Sequence, residues 1–155
     1  MVPKGWDGMN ENGVGGFSRK ELIGAALAVH GRAYAPYSHF PVAAAVLASS
    51  GKVYTGVNVE NASYGGTICA ERTAVLHAVT AGERRLTAIA VVGGADPSRG
   101  DYCMPCGICR QFLREFCDPE QMTVVVARTQ EDFREYRLSQ LLPDSFGPDF
   151  LTEKG

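Results

Sequence analysis

Leu86-Thr87-Ala88-Ile89-Ala90-Val91-Val92 has the sequence pattern of a buried central strand. It is apolar at nearly every position, as a central strand covered on both faces would be. A second fully apolar stretch runs over residues 122–127, and helix-patterned segments lie between and beside the two. Buried strands separated by helices predict an α/β protein whose sheet is at least partly parallel.

The segments around these two strands predict further elements. A capping box from Ser18 to Glu21, followed by apolar residues at helical spacing, predicts a helix over residues 19–31. Residues 42–48 and 52–59, joined by Ser49-Ser50-Gly51, predict a β-hairpin that makes the sheet mixed. Helical patterns also cover residues 68–81, 107–117 and 139–146, whereas residues 130–136 are polar and receive no assignment.

The composition indicates a globular protein with one domain. The chain has 155 residues, of which 45% are hydrophobic, and a formal net charge of -2. This balance disfavours nucleic-acid binders that depend on a basic face. No apolar run approaches the roughly 20 residues that a membrane-spanning helix needs. We expect residues 1–16 to be a flexible N-terminal extension and residues 17–155 to form the domain.

The cysteines and the N-terminus predict a cytoplasmic protein. Four of the five cysteines fall within residues 103–117, and an odd number clustered in this way does not indicate a disulfide framework. A reducing compartment, in which cysteines remain available as ligands, fits this pattern better. The N-terminus also lacks the apolar core of a signal peptide, so we expect no export.

Two short motifs carry the chemistry. Cys69-Ala70-Glu71-Arg72 and Pro105-Cys106-Gly107-Ile108-Cys109-Arg110 each stand at the opening of a helix-patterned run. Cys106 and Cys109 share one face of a helix, and helix N-termini favour the thiolates that zinc binds. With Cys69 as a third ligand, the fourth tetrahedral position stays free for water. The unligated Glu71 can then transfer protons, as zinc-assisted hydrolysis requires.

Simpler explanations exist for each part of this constellation. A Cys-x-x-Cys pair alone often belongs to a structural zinc site or a core, and Cys103 could close a four-sulfur site that leaves Glu71 without a role. The cysteines at 103, 106 and 109 resemble an iron–sulfur motif, but the next one, Cys117, follows after eight residues rather than four. Arg72 is placed to offset the net negative charge of three thiolates and Zn²⁺, although alone it would be interpreted as a solvated helix residue.

Four motifs together resemble the small, homotetrameric, zinc-dependent cytidine deaminases of pyrimidine salvage. In chain order they are Tyr37-Ser38-His39-Phe40-Pro41-Val42, Val57-Asn58-Val59-Glu60-Asn61-Ala62-Ser63-Tyr64-Gly65, Thr67-Ile68-Cys69-Ala70-Glu71-Arg72-Thr73-Ala74 and Pro105-Cys106-Gly107-Ile108-Cys109-Arg110-Gln111. The likeness covers residues 22–146, and the cysteine–glutamate signature alone belongs to all zinc-dependent nucleobase deaminases. The resemblance implies a three-layer α/β/α sandwich with a mixed central sheet of about five strands.

The resemblance also implies the reaction and its machinery. The expected activity is hydrolytic deamination of cytidine and 2′-deoxycytidine to uridine and 2′-deoxyuridine plus ammonia, by a zinc-activated water with Glu71 as the catalytic proton shuttle. One Zn²⁺ per chain would be held by Cys69, Cys106 and Cys109. Arg72 matches the family arginine that hydrogen-bonds the ligating sulfurs.

The substrate-binding residues are implied in the same way. Phe40 matches an aromatic packed against the pyrimidine, and Ala70 the position whose backbone amide meets the base carbonyl. Asn58 and Glu60 match the ribose-binding residues, and alternation along a strand points both side chains to one side. Without the family, an exposed strand edge would explain residues 58 and 60 as well, and residue 40 would be assigned to the core. Two ordinary-looking aromatics, Tyr64 and Phe146, match residues that reach active sites of neighbouring subunits.

The sequence departs from the family pattern at two places near the site. His39 stands where the family commonly has Asn, and Cys103 is an additional sulfur. Two rival functions stay open: a deaminase of a cytosine-containing antibiotic such as blasticidin S, which shares the zinc motifs, and a structural zinc module without turnover. The expected partner is a small nucleoside, since the acidic balance and the lack of a basic track disfavour nucleic-acid editing.

Overall fold

The computed structural model describes residues 17–152, which form a five-stranded sheet with helices on both faces. The strands are β1 (Val42–Ala48), β2 (Val53–Val57), β3 (Leu86–Gly93), β4 (Thr123–Ala127) and β5 (Phe133–Arg137). The helices are α1 (Arg19–Val29), α2 (Ala70–Thr80), α3 (Gly107–Arg114) and α4 (Leu138–Leu141), with short 3₁₀ turns at His30–Arg32, Tyr64–Gly66 and Pro148–Phe150. The predicted N-terminal extension, residues 1–16, lies outside the described residues, as do residues 153–155.

The sheet has the strand order β2-β1-β3-β4-β5 and is mixed. The β3–β4 pair is parallel, whereas β1–β2, β1–β3 and β4–β5 are antiparallel. The start of β1 at Val42 therefore pairs with the end of β3 at Gly93. The segments before β1, after β2, after β3 and after β4 consequently meet at one edge of the sheet, called the site edge below.

Helices cover both faces of the sheet. On one face, α1 packs Leu22, Ile23 and Ala26 over the alternate residues of β1 and β3 that include Ala45 and Ala90. On the other face, α2 and α3 pack over the intervening residues of the same strands. The predicted three-layer α/β/α sandwich with a mixed five-stranded sheet is confirmed. Within residues 17–152, no helix is long and apolar enough to cross a membrane.

Several element boundaries differ from the prediction for local reasons. Helix α2 begins at Ala70 rather than at residue 68, because Ile68 pairs with Val59 in an isolated β-bridge. Helix α4 ends at Leu141, because Pro143 disfavours helical backbone at the residue before it, Leu142. Strand β5 was not predicted, since its partly exposed polar residues hide the pattern of a strand that pairs along one side only.

Gly56 sets the distance between α2 and the sheet. A Cβ atom at this position would lie 2.3 Å from the backbone nitrogen of Ala74 and 2.7 Å from the carbonyl carbon of Thr73, both in α2. Backbone atoms cannot move aside as the end of a flexible side chain can. The helix that begins next to Cys69 therefore rests directly on glycine.

We predict that Gly56→Ala lowers the free energy of unfolding by at least about 1–3 kcal/mol, the usual cost of overpacking. The added methyl group must push α2 away from β2, and denaturant unfolding of the purified variant measures the loss. Gly31→Ala is the matched control, because a Cβ there has no atom within 4 Å. Equal stability of the two variants would contradict the close packing of α2.

Candidate metal and active site

Three sulfur atoms meet at the site edge, where α2 and α3 begin. The Sγ atoms of Cys69, Cys106 and Cys109 all lie within 4.8 Å of one another, and those of Cys69 and Cys106 are 3.9 Å apart. Across residues 17–152, this is the one group of His, Cys, Asp or Glu side chains placed to hold a metal ion. Cys103 does not belong to the group, so the site offers three sulfurs rather than four.

The helices present these sulfurs from their first turns. Cys69 is the N-cap of α2 and Cys106 is the N-cap of α3, both with extended backbone, and Cys109 follows in the first turn of α3. The first amides of each helix have no partner inside it. The positive ends of two helix dipoles thus converge on the sulfurs and stabilise negative charge there.

The pKa values of the Cys69 and Cys109 thiols shift in opposite directions. A hydrogen bond from the Cys109 thiol, together with the Arg72 guanidinium, lowers the pKa of Cys69 to about 5 against the effect of burial. Donating that hydrogen bond, burial and the nearby Glu71 carboxylate all raise the pKa of Cys109. A thiolate–thiol pair of this kind can hold a divalent cation once the remaining proton leaves.

Glu71 lies beside the sulfurs with its carboxyl group removed from water. Its exposed fraction is only 4%, and burial raises the pKa of the carboxyl group, although the hydrogen bond from Cys109 opposes part of the rise. A carboxyl group whose pKa moves toward neutrality can both accept and release a proton. Glu71 therefore has the environment of a general acid–base residue.

Arg72 places a positive charge against the sulfur cluster. Its Nη2 donates to the carbonyl oxygen of Thr67 at 3.2 Å and to Sγ of Cys69 at 3.8 Å. The bond to the carbonyl oxygen fixes the guanidinium on the segment that leads into α2. Arg72 is thus an ordered residue of the site rather than a solvated helix residue.

The Phe40 ring rests on a pair of glycines at the end of β3. A Cβ on Gly93 would lie 3.3 Å from one ring carbon, and a Cβ on Gly94 would lie 3.7 Å from another. The ring is 48% exposed, so Phe40 does not belong to the core. Sequence reasoning missed this support, although a glycine pair closing a buried strand was a usable signal.

Asn58 holds the backbone on both sides of Pro41, which has no amide hydrogen of its own. Its Oδ1 accepts from the amide of Val42 at 2.9 Å, and its Nδ2 donates to the carbonyl oxygen of Phe40 at 2.9 Å. Asn58 is buried. One lone pair and one N–H of its amide group stay available to a ligand.

Glu60 is tied to the loop that carries Phe40. Its Oε1 accepts from the amides of Tyr37 at 3.0 Å and Ser38 at 3.1 Å, and hydrogen bonds from Ser38 and Tyr37 lower the pKa of its carboxyl group. Strand β2 ends at Val57, earlier than predicted, but the chain stays extended because Val59 bridges to Tyr34 and Ile68. The carboxylate therefore stays charged against the loop of Tyr37 and Ser38 that leads to Phe40.

His39 adopts a left-handed backbone conformation, with a φ of 56°. Non-glycine residues are uncommon there, and Asn, Asp and His are the ones most often found. The backbone therefore gives a physical reason why His can stand where the resemblance implies Asn.

The other predicted site residues occupy exposed or first-turn positions. Ala70 is the first residue of α2, so its amide is one of those without a partner inside the helix. Tyr64 is 74% exposed and its ring meets Tyr37 edge-on at 5.7 Å. Phe146 is 55% exposed and stacks on Phe150 at 5.2 Å. Neither Tyr64 nor Phe146 forms part of the sulfur cluster within one chain.

Comparisons with known proteins show the family to which this chain belongs. A family model described as the cytidine and deoxycytidylate deaminase zinc-binding region matches residues 18–126. A cytidine deaminase of Halalkalibacterium halodurans is 47% identical over 135 residues, which cover 87% of this chain and 98% of the relative. A cytidine deaminase of Mycobacterium tuberculosis is 45% identical over 133 residues, covering 86% and 92%.

Solved structures of cytidine deaminases are also similar to this chain. The crystal structure of a cytidine deaminase from Burkholderia pseudomallei matches with a TM-score of 0.75 and 47% identity, covering 84% of this chain and all of that one. The cytidine deaminase structure from Mycobacterium tuberculosis matches with a TM-score of 0.69 and 44% identity, covering 81% and 94%. On the length of the family match and the identity to these relatives, the chain belongs to the family of zinc-binding cytidine and deoxycytidylate deaminases.

Proposed function

We propose that the protein hydrolyses cytidine and 2′-deoxycytidine to uridine and 2′-deoxyuridine, with release of ammonia. The observation that carries the proposal is the buried Glu71 carboxyl group beside three sulfurs at two helix N-termini. The cytidine deaminase relatives, which cover nearly the same length, support the choice of substrate.

The sulfur geometry fits zinc. A zinc–sulfur bond of about 2.3 Å in a tetrahedral site separates two ligating sulfurs by roughly 3.8 Å, close to the 3.9 Å between Cys69 and Cys106. We infer that Cys69, Cys106 and Cys109 hold one Zn²⁺ per chain and leave one position for water. When bound, zinc supplies the Lewis acidity that makes water nucleophilic near neutral pH.

Glu71 would move the protons of the reaction. It accepts a proton from the attacking water, delivers it to the ring nitrogen of the base and then assists departure of the amino group as ammonia. The raised pKa of its carboxyl group suits both directions of transfer. The water oxygen thereby becomes the new carbonyl oxygen of the uracil ring.

Arg72 and Ala70 would support this chemistry from α2. Three thiolates and one Zn²⁺ carry a net charge of −1, which weakens the metal as a Lewis acid. The Arg72 guanidinium, 3.8 Å from Cys69 Sγ, offsets part of that charge. The first-turn amide of Ala70 is available to donate a hydrogen bond to the carbonyl oxygen of the base.

The loop before β1 and the segment after β2 would bind the substrate. The half-exposed Phe40 ring, seated on the two glycines, offers a flat face for the pyrimidine. The Asn58 amide can accept hydrogen bonds from ribose hydroxyls or donate to them, and the Glu60 carboxylate can accept from them. Glu60 is held by Tyr37 and Ser38, so its carboxylate is oriented before substrate binds.

We also infer a homotetramer in which Tyr64 and Phe146 reach the sites of neighbouring subunits. Both aromatic rings are largely exposed on a single chain, at 74% and 55%. An exposed aromatic ring gains most from a partner that buries it.

We predict that Glu71→Gln retains one zinc per chain and loses at least the ~10²–10⁴-fold in kcat that general acid–base catalysis contributes. Cytidine absorbance measured together with zinc content tests this. Glu115→Gln, an exposed change in the loop that follows α3, should leave both values unchanged. Wild-type turnover in Glu71→Gln would exclude the proton shuttle.

We predict that Cys106→Ala loses the metal, whereas Cys103→Ala and Cys117→Ala retain it. Removing one of three ligands opens the coordination shell, and neither Cys103 nor Cys117 lies in the sulfur cluster. Metal content after dialysis, with unfolding temperature alongside, measures the difference. Loss of zinc in Cys103→Ala would instead indicate a closed, structural four-sulfur site.

We predict that Glu60→Gln raises KM for cytidine roughly tenfold or more, because a hydrogen bond to a charged group contributes about 1.5–3 kcal/mol. The sugar-free substrate 1-methylcytosine provides the comparison, since it lacks the hydroxyls that Glu60 would bind. Its kcat/KM should be unchanged in the variant. An equal loss with both substrates would mean that Glu60 acts through the Phe40 loop instead.

A further inference from the structure

The segment between β3 and α3 has no helix or strand of its own, yet it leads directly into Cys106. It spans residues 94–106 and lies at the site edge. The packing of α3 against its neighbours fixes Cys109 and contributes to the position of Cys106. Contacts along this segment are the second constraint on Cys106, because the segment delivers it to the start of α3.

One set of contacts holds this segment to the turn between β4 and β5. The Tyr102 hydroxyl donates a short hydrogen bond to Oδ1 of Asp132. The guanidinium of Arg134 lies over the Tyr102 ring at 4.3 Å from its centroid, and that of Arg128 lies over it at 5.3 Å. These four residues, Tyr102, Arg128, Asp132 and Arg134, are called the Tyr102 anchor below.

The members of the Tyr102 anchor also bind one another. Arg128 donates to Oδ2 of Asp132 from Nη2 at 2.5 Å and from Nε at 2.7 Å, and its Nη1 reaches the carbonyl oxygen of Gly100 at 3.3 Å. The hydrogen bond to Asp132 raises the pKa of Tyr102, and the hydrogen bonds from Tyr102 and Arg128 lower the pKa of Asp132. Two Arg128 donors on one oxygen of Asp132, the Tyr102 hydroxyl on the other, and two cation–π contacts give the segment a defined attachment point.

The attachment point lies next to the proposed active site along the chain. The following residue, Cys103, packs against Gly93, since a Cβ there would lie 2.6 Å from its sulfur. Gly93 also supports the Phe40 ring. Two residues later, the buried Pro105 accepts a hydrogen bond through its carbonyl oxygen from Nε of Arg110, and Cys106 follows.

We propose that the Tyr102 anchor positions Cys106 and also Cys103, which packs against the same glycine, Gly93, as the Phe40 ring. Tyr102 is then a positioning residue for the metal site. The proposal rests on the proposed function only in taking Cys106 as a zinc ligand. Tyr102 touches no ligand itself; it restricts the freedom of the segment that delivers one. Releasing it gives the chain back conformational entropy that metal binding must then remove.

The test compares Tyr102→Phe, Tyr102→Leu and Asp132→Asn with the wild-type zinc protein. Phe keeps the ring under the guanidiniums and loses the hydroxyl, whereas Leu loses both. We expect zinc release to an excess of chelator to accelerate roughly tenfold in Tyr102→Leu, the scale seen when supports around metal ligands are removed. The acceleration should be smaller in Tyr102→Phe and Asp132→Asn.

Two controls separate positioning from general stability. Val53→Ala weakens β2, on the far side of β1 from the Tyr102 anchor, and Tyr136→Phe removes a hydroxyl from β5. Neither should change zinc release beyond what its unfolding temperature explains. Substitution with Co²⁺ gives a second readout, because its thiolate charge-transfer bands report the number of sulfurs bound. We expect Tyr102→Leu to show weakened bands, and Val53→Ala to show wild-type ones.

Wild-type zinc release and wild-type cobalt bands in Tyr102→Leu would overturn the proposal, as would release that follows unfolding temperature in every variant. Both readouts work without cytidine. A wild-type protein that binds zinc and does not deaminate cytidine would therefore refute the proposed function and leave the Tyr102 anchor standing. Normal deamination by the wild-type protein, together with unchanged metal release in Tyr102→Leu, would support the proposed function and refute the role of the Tyr102 anchor.

Discussion

The convergence of two helix N-termini over the end of β3 determines how the neighbouring elements are placed. It requires α2 to lie directly on β2, which Gly56 permits, and α3 to cross from the end of β3 to the parallel strand β4. Cys69 and Cys106 then occupy the N-cap positions of the two helices. An ordinary N-cap side chain accepts a hydrogen bond from the helix, whereas these sulfurs turn toward each other.

Burial and charge are balanced within a few residues of this meeting point. The sulfurs concentrate negative charge, which the helix dipoles and the Arg72 guanidinium stabilise. Glu71 is placed in the same region but removed from solvent, so its carboxyl group resists ionisation. One helix turn thus provides a thiolate, a cation and a weak acid, and the pKa of each group depends on the charge of the others.

The sequence predicted those features that follow from local pattern. The apolar run of β3, the hairpin of β1 and β2, and the helices that open near Cys69 and Cys106 all have signals within a few residues, although the N-cap position of Cys69 was not predicted. The resemblance then predicted which side chains belong to one site. Strand β5 was not predicted, because its polar sequence has no alternation of apolar and polar residues. This edge strand is defined by its hydrogen bonds to β4.

The supports of the site could not be predicted for a different reason. Asn58 bonds to backbone sixteen residues earlier, and Tyr102 reaches Asp132 thirty residues later. Contacts over such distances produce no repeating pattern in the sequence, because they form only when the folded sheet brings its loops to the same edge. The glycines under Phe40 were visible as a dipeptide, but their function depends on a ring more than fifty positions away.

The left-handed backbone of His39 has a consequence for attempts to redesign the substrate range. If all amino acids are tested at this position, the variants will differ first in backbone strain, since β-branched and bulky side chains are strained at a φ of 56°. Variants with glycine, asparagine or aspartate will keep the fold of this loop because these residues adopt the left-handed conformation, whatever their effect on catalysis. Laboratory evolution of a new nucleoside preference has more room at neighbouring positions whose backbone accepts any side chain.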